Sequence, residues 1–191
     1  MKIVLVRHAK VRMPEMKRLY VSEIKAGVEI YNHAPIETSI PHKSELLALA
    51  ESSDYFVCSG LSRSEASLAL LGKTPDIQDT IFNELTVPSA DWRGVKLPPQ
   101  AWLVFFRIAS LFGYRGGGES FADAKARAVQ AVDRLTDTKS EAESTMLLGH
   151  GLMNRFIARE LKRRGWRETK ALGKANWSYG IFELENPEGK K

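Results

Sequence analysis

The sequence predicts an α/β protein: a three-layer α/β/α sandwich with a largely parallel, mixed central sheet. Two observations lead to this prediction. Short apolar runs typical of buried strands alternate with segments of helical periodicity, and proline, glycine or serine residues separate the two kinds of segment. The chain has 191 residues, a length that suits one domain, and we expect residues 1–191 to form it.

Five apolar runs have the length of buried strands. They cover residues 3–6, 55–58, 76–82, 145–148 and 179–184. Periodicity and helix-start residues predict helices near residues 15–25, over residues 41–50, 64–71, 101–112 and 120–135, and from residue 152 to a stop at Gly165. The polar segment of residues 9–40 is rich in turn residues, and we expect it to be a long loop that covers a site.

Composition narrows the range of functions. The net charge of +5 favours anionic ligands, but the basic residues are spread along the chain and do not predict a nucleic-acid surface. Cys58 is the single cysteine, so we expect neither a disulfide framework nor a cysteine-based zinc site. The sequence has no signal-peptide pattern and no apolar stretch of about 20 residues, which predicts a cytoplasmic protein.

Polar residues follow three of the predicted strands at the point where each strand ends. Arg7 and His8 follow the first strand, Ser59 and Arg63 the second, and His150 the fourth. Because the carboxyl ends of parallel strands share one edge of a sheet, we expect these side chains to converge. A buried arginine beside a histidine is costly unless an anion meets it. Taken alone, Arg7 and His8 are explained equally well as a pair that a carboxylate holds at the edge of the core.

Such a convergence predicts a cationic pocket for a phosphoryl group, because arginine side chains and helix N-termini both bind phosphate oxygens. Surrounding cations keep a histidine ring neutral, which leaves one ring nitrogen able to attack phosphorus. The other ring nitrogen donates to a fixed acceptor. A second histidine stabilises charge on the phosphate oxygens in the transition state, and a nearby carboxylic acid protonates the leaving alkoxide.

Short motifs along the chain, in this order, resemble the histidine phosphatase superfamily, which includes the cofactor-dependent phosphoglycerate mutases. They are residues 5–9 (LVRHA), 59–64 (SGLSRS), 83–84 with 91–94 (NE and DWRG), 118–120 with Arg127 (GES and R), and 148–151 (LGHG). Asn176, before the last strand, also fits the pattern. The resemblance runs nearly end to end and implies a phosphoglycerate mutase-like fold.

The resemblance implies a role for each matching residue. His8 is expected to be the nucleophile that becomes phosphohistidine, and Arg7 and Arg63 to bind the phosphate. His150 is expected to be the second histidine of the pocket, and Glu84 the proton donor. The resemblance implies no metal ion and no organic cofactor.

Departures from the family pattern bear on activity. Ala9 stands where the family usually has glycine, and we expect its methyl group to crowd the phosphate loop without abolishing activity. Gly60 replaces the usual proline of the second motif and is expected to loosen that turn. The longer signatures that follow the nucleophile in the mutases are missing from residues 10–15, which favours a phosphatase. Glu119, the alternative acid, precedes a helix start, where a capping role is typical.

We therefore predict a metal-independent hydrolase of the histidine acid phosphatase type that acts on phosphomonoesters. The expected partners are a small phosphorylated metabolite and inorganic phosphate, with no nucleic acid and no membrane. A phosphohistidine protein phosphatase, whose partner is a phosphoprotein, is the first alternative. A non-catalytic phosphate-binding or scaffolding protein is the second, and a phosphoglycerate mutase the third. We expect substrate specificity to lie in residues 11–40 and 85–118.

Overall fold

The structure is a computed structural model and describes residues 1–13, 17–91, 94–137 and 142–184. Its centre is a sheet with these strands: β1 (Lys2–Arg7), β2 (Tyr55–Ser59), β3 (Ile77–Asp79), β4 (Ser144–Gly149), β5 (Arg167–Lys170) and β6 (Tyr179–Glu183). The strand order is β3-β2-β4-β1-β6-β5. The first four strands in this order are parallel, and β6 and β5 are antiparallel to their neighbours.

The register of the sheet aligns the carboxyl ends of its central strands. Arg7 of β1 pairs with Gly149 of β4, and Cys58 of β2 pairs with Leu148 of β4. The residues that follow β1, β2 and β4 therefore start from one edge of the sheet, as expected for an α/β site. The prediction of a mixed, largely parallel sheet is confirmed.

Helices cover both faces of the sheet. The helices of the described residues are α1 (Ile24–His33), α2 (Lys43–Glu51), α3 (Ser62–Leu70), α4 (Pro99–Leu111), α5 (Phe121–Thr136) and α6 (Gly151–Arg163). Alternate residues of β1 point to opposite layers. Ile3 and Leu5 pack with α5 and α6, whereas Val4 and Val6 pack with α2 and α3. These two layers and the sheet between them form the predicted three-layer sandwich.

The first helix lies further along the chain than the sequence predicts. A 3₁₀ turn at Val21–Glu23 leads into α1, whereas a helix is expected near residues 15–25; residues 14–16 lie outside the described residues. The shift has a tertiary cause, because Ile24 and Val28 recur at helical spacing and pack against α4. A contact with a distant helix is not visible in the local pattern.

Two strands also differ from the prediction. The third strand, expected over residues 76–82, ends at Asp79, whose carboxylate accepts a hydrogen bond from the Ile81 N–H (3.0 Å) and starts a 3₁₀ turn. The sequence does not predict β5, because its residues (RETK) show no apolar run. β5 is an edge strand with largely exposed side chains, so it needs none.

Helices α1 and α4, which we call the cap, form a third apolar cluster separate from the two layers. Ile24 of α1 packs with Trp102 and Phe106 of α4. A backbone bridge between Leu19 and Leu97 joins the segments that precede the two helices, and the Trp102 Nε1–H donates to the carbonyl of Leu19 (2.8 Å). No helix among the described residues is long and apolar enough to cross a membrane.

Candidate functional site

The ends of β1 and β4 bring the two expected histidines together. The ring centroids of His8 and His150 are 5.0 Å apart, and both rings are buried. Asn154 of α6 joins the two strand ends. Its side chain donates to the carbonyl of Val6 (3.1 Å) and accepts from the backbone N–H of His150 (3.3 Å). A fully buried asparagine with both ends bonded fixes the spacing of these strand ends.

The local backbone determines the tautomer of His8. Its Nδ1 lies 2.6 Å from the carbonyl oxygen of Ala9. A carbonyl only accepts hydrogen bonds, so Nδ1 carries the proton and Nε2 keeps its lone pair. The side-chain amide of Asn176 donates to the carbonyls of His8 (2.9 Å) and Ala9 (3.2 Å), which holds this turn in place. In this tautomer Nε2 is the ring nitrogen of His8 that carries a free lone pair.

Ser59, the last residue of β2, orients His150. Its hydroxyl lies 2.6 Å from His150 Nε2 and already accepts a hydrogen bond from the Leu61 N–H (3.3 Å). We assign the hydroxyl proton to the hydrogen bond with Nε2, which leaves the ring proton of His150 on Nδ1. This Nδ1 is buried and has no hydrogen-bond partner among the described residues. A buried donor without a partner is costly, and an anion next to it removes that cost.

Two arginines carry the positive charge of the site. Arg7 donates to the carbonyl of Lys174, and its guanidinium lies against Gly151, where a β-carbon would be 3.3 Å from the arginine Cζ. Arg63, in the first turn of α3, donates to the side-chain oxygen of Asn32 (2.9 Å). The Nε atoms of both arginines are buried and, like His150 Nδ1, lack a hydrogen-bond partner among the described residues.

Burial and positive charge keep both histidines neutral. Burial lowers the pKa of His8 to about 3, and the charges of Arg63 and Arg7 add to this effect against the hydrogen bond to the Ala9 carbonyl. Burial, followed by the charge of Arg63, also holds the pKa of His150 well below its ordinary value. Both rings therefore remain neutral in a positive field that attracts anions.

Glu84 lies at the N-terminus of α6, the helix that begins directly after His150. Its carboxylate accepts hydrogen bonds from the backbone N–H groups of Leu152 (3.2 Å) and Met153 (3.1 Å). Arg127 supports the segment that carries it by donating to the carbonyls of Ile81 (2.7 Å) and Asn83 (2.8 Å).

Glu119 pairs with Arg127 and does not cap the helix that follows it. Its carboxylate forms a bidentate ion pair with Arg127, at 2.8 Å to Nε and 2.6 Å to the terminal nitrogen. This arrangement makes Glu119 a partner of the arginine that holds the Glu84 segment. The helix cap at this point is Ser120, which forms a capping box with Asp123.

A cavity of about 690 Å³ extends from the two arginines and Glu84 to the cap formed by α1 and α4. Arg7, Arg63 and Glu84 line one part of it, and residues of α1 and α4 line another. The rings of His8 and His150 lie next to the arginines rather than on the cavity wall itself. The cavity is therefore large enough for a phosphate group together with the molecule that carries it.

Ala9 and Gly60, the two departures from the family pattern, are both accommodated. The expectation that the Ala9 methyl crowds the phosphate loop is wrong, because Ala9 is fully buried in the apolar cluster with α3. Its N–H donates to Ser67 of α3 (2.8 Å). A β-carbon at Gly60 would lie 3.0 Å from Thr80 Cγ2, so the turn is closely packed and not loose.

Sequence reasoning missed the residues that position Arg63. Asn32 accepts its hydrogen bond, and the ring of Tyr31 stacks with its guanidinium at 4.8 Å. Both belong to α1, within the segment of residues 9–40, where the sequence predicts a loop over a site and a source of specificity but no particular side chain. Trp92 and Arg93 of the DWRG motif lie outside the described residues. No cluster of His, Cys, Asp or Glu side chains suited to a metal ion occurs within the described residues.

Comparison with a protein-family model gives a match over most of the chain. The model of the histidine phosphatase superfamily (branch 1) matches residues 44–190. This range includes Arg63, Glu84 and His150, whereas Arg7 and His8 precede it. No curated protein matches the chain in sequence.

Solved structures share the fold at low sequence identity. The product of the open reading frame Rv3214 from Mycobacterium tuberculosis has a TM-score of 0.62 and 16% identity, over 97% of this chain and 92% of that one. The mycobacterial glucosyl-3-phosphoglycerate phosphatase Rv2419c has a TM-score of 0.56 and 20% identity, over 94% and 88%. The alpha-ribazole phosphatase from Shigella flexneri has a TM-score of 0.58 and 14% identity, over 97% and 91%.

The burial of a neutral His8 makes stability depend on pH. Between about pH 6.5 and 3 the unfolded chain binds a proton at this residue that the folded protein does not, so stability falls as the pH is lowered through this range. We expect the loss in the free energy of unfolding between pH 7 and 4.5 to be about 2 kcal/mol smaller in His8→Gln than in the wild type. Urea unfolding at the two pH values measures this difference.

The control for this prediction is His33→Gln, because His33 is exposed at the end of α1. Equal losses in His8→Gln and in the wild type would show that His8 is not held neutral by the fold.

Proposed function

The chain belongs to the histidine phosphatase superfamily, and we propose that it hydrolyses the phosphomonoester of a small metabolite through a phosphohistidine intermediate on His8. One observation carries this proposal. Arg7 Nε, Arg63 Nε and His150 Nδ1 are buried donors without a partner in the described chain, and they surround a neutral histidine with a fixed tautomer. A phosphoryl group supplies several acceptor oxygens and a reactive phosphorus atom to such a set.

In the first step His8 Nε2 attacks phosphorus and forms the P–N bond as the ester P–O bond breaks. Arg7 and Arg63 bind the phosphoryl oxygens and neutralise the charge that they carry in the transition state. His150 donates from Nδ1 to a further oxygen, in the orientation that Ser59 maintains. These groups are in place before the substrate arrives, so little reorganisation is needed during the reaction.

Glu84 supplies the proton to the leaving alkoxide. This proton comes from the substrate. The second pKa of a phosphomonoester lies near 6, so part of the substrate enters as the monoanion and gives its proton to the Glu84 carboxylate. In the second step water attacks the phosphohistidine, Glu84 accepts the proton of that water, and the P–N bond breaks. The products are the alcohol and inorganic phosphate, and His8 returns to its neutral form.

The cavity favours a small metabolite over a phosphoprotein. It is a concave space lined by α1 and α4, whereas a phosphohistidine on a protein surface needs a site that a folded partner is able to reach. Two proteins of the same fold have names that refer to phosphatases of small molecules, a glucosyl-3-phosphoglycerate and an alpha-ribazole phosphate. The packing of Ala9 and Gly60 supports an intact site rather than a decayed binding protein.

Hydrolysis of p-nitrophenyl phosphate in the presence of EDTA tests the proposal. We expect the wild type to be active and unaffected by the chelator, because the proposed chemistry uses only side chains. His8→Gln is expected to lower kcat at least about 10³-fold, since it removes the nucleophile. His33→Gln serves as the control and keeps the wild-type rate. Full activity in His8→Gln, or its loss on addition of EDTA, would contradict the proposal.

The role of Glu84 predicts a dependence on the leaving group. We expect Glu84→Gln to lower kcat for an alkyl phosphate about 10²-fold or more, because an alkoxide leaves only when protonated. The same change is expected to cost less than about tenfold with p-nitrophenyl phosphate, whose leaving group is stable as an anion. Steady-state kinetics with both substrates measure the two ratios.

Glu119→Gln is the matched control, because Glu119 also lines the cavity but is paired with Arg127. It is expected to change both rates by a similar factor. A selective loss with the alkyl phosphate in Glu119→Gln, and not in Glu84→Gln, would transfer the acid role to Glu119.

A further inference from the structure

The cavity lining is polar near the two arginines and largely apolar next to the cap. Between α1 and α4 its wall is largely apolar and includes Leu19, Ile24, Val28, Val87, Trp102 and Phe106. The one polar group of Trp102, its Nε1–H, donates to the carbonyl of Leu19 and so needs no ligand. This part of the wall offers contact area rather than hydrogen bonds.

Several polar side chains of the cavity lining are already engaged within the protein. Asn32 is bonded to Arg63, Glu84 to the N-terminus of α6, and Glu119 to Arg127. Gln100 and Arg107 also line the cavity but are exposed on α4. The side-chain oxygen of Asn83 is a buried acceptor without a hydrogen-bond partner in the described chain, and it lies beside Gly60, at the sheet end of the cavity rather than between the two helices. A sugar hydroxyl packed against Ile24, Trp102 and Phe106 would lose water without gaining a hydrogen-bond partner from these side chains.

From this lining we infer that the substrate is the phosphomonoester of an apolar alcohol, whose alkyl or aryl portion packs between α1 and α4 while Arg7 and Arg63 bind the phosphate. This inference rests on the proposed function and adds the chemical class of the alcohol. The cap thereby acts as the specificity element of the site. Contact with the apolar part of the substrate also gives a role to the separate apolar cluster of the cap, which lies next to the phosphate site.

Substrates matched in carbon number test the inference. We expect kcat/KM to rise about two- to fourfold for each methylene from propyl to hexyl phosphate, as each group leaves water for the apolar wall. Hexyl phosphate is expected to exceed glucose 6-phosphate by at least about tenfold, although both have six carbons. Equal rates along the alkyl series, or a preference for glucose 6-phosphate, would overturn the inference.

Two neighbouring residues of α4 provide a matched pair of variants. Leu103 lines the cavity and is 37% exposed, so Leu103→Ser changes the wall without opening the core. Val104 is 55% exposed and is not part of the wall, so Val104→Ser is the control. We expect Leu103→Ser to lower kcat/KM for hexyl phosphate about threefold or more, with no change in Val104→Ser. Equal effects of the two variants would contradict the assignment of the wall.

The result separates this inference from the proposed function. If p-nitrophenyl phosphate is hydrolysed but the alkyl series shows no trend, the function stands and the inference fails. If no phosphomonoester is hydrolysed, calorimetric titration with hexyl phosphate and glucose 6-phosphate decides the inference alone. Tighter binding of hexyl phosphate then supports an apolar subsite, and equal or weaker binding rejects it.

Discussion

The hydrogen bond between His8 Nδ1 and the carbonyl of Ala9 determines what this site is able to do. It fixes the tautomer, and with it the position of the lone pair, in a ring that burial and two guanidinium groups keep neutral. The bond depends in turn on Asn176, which holds the same turn, and on the register of β1 with β4, which sets His8 beside His150. Without this constraint the arginines would form only an anion-binding site.

The same arrangement lowers the stability of the protein in the absence of a ligand. Arg7, Arg63 and His150 each keep a buried donor without a hydrogen bond among the described residues, and burial opposes the charge of Arg63. Contacts such as the Tyr31 stack, the Asn32 side chain and the Lys174 carbonyl orient the guanidinium groups without using these donors. An anion that accepts hydrogen bonds from these donors would relieve this cost, and its binding would then stabilise the folded protein. The site is thus preorganised for a ligand at the expense of stability.

The sequence predicts the sheet edge of the site better than the cap. Buried strands such as β1 and β4 appear as apolar runs, and the rule that ligands bind at the carboxyl ends of parallel strands locates Arg7, His8 and His150. The cap is different, because α1 is fixed by packing on α4, which lies about seventy residues further along the chain. Local patterns do not contain such contacts, and for the same reason the effects of Tyr31 and Asn32 on Arg63 are not predictable.

The central claim is a covalent phosphoryl group on His8 during turnover, and rapid-quench mass spectrometry tests it most directly. The protein is mixed with p-nitrophenyl phosphate, quenched in alkali, where phosphohistidine persists, and digested for peptide mapping. We expect one phosphoryl group, on His8, that is lost when the quenched sample is acidified. Turnover without a phosphorylated His8 at any time point, or with the phosphoryl group on another residue, would contradict this claim.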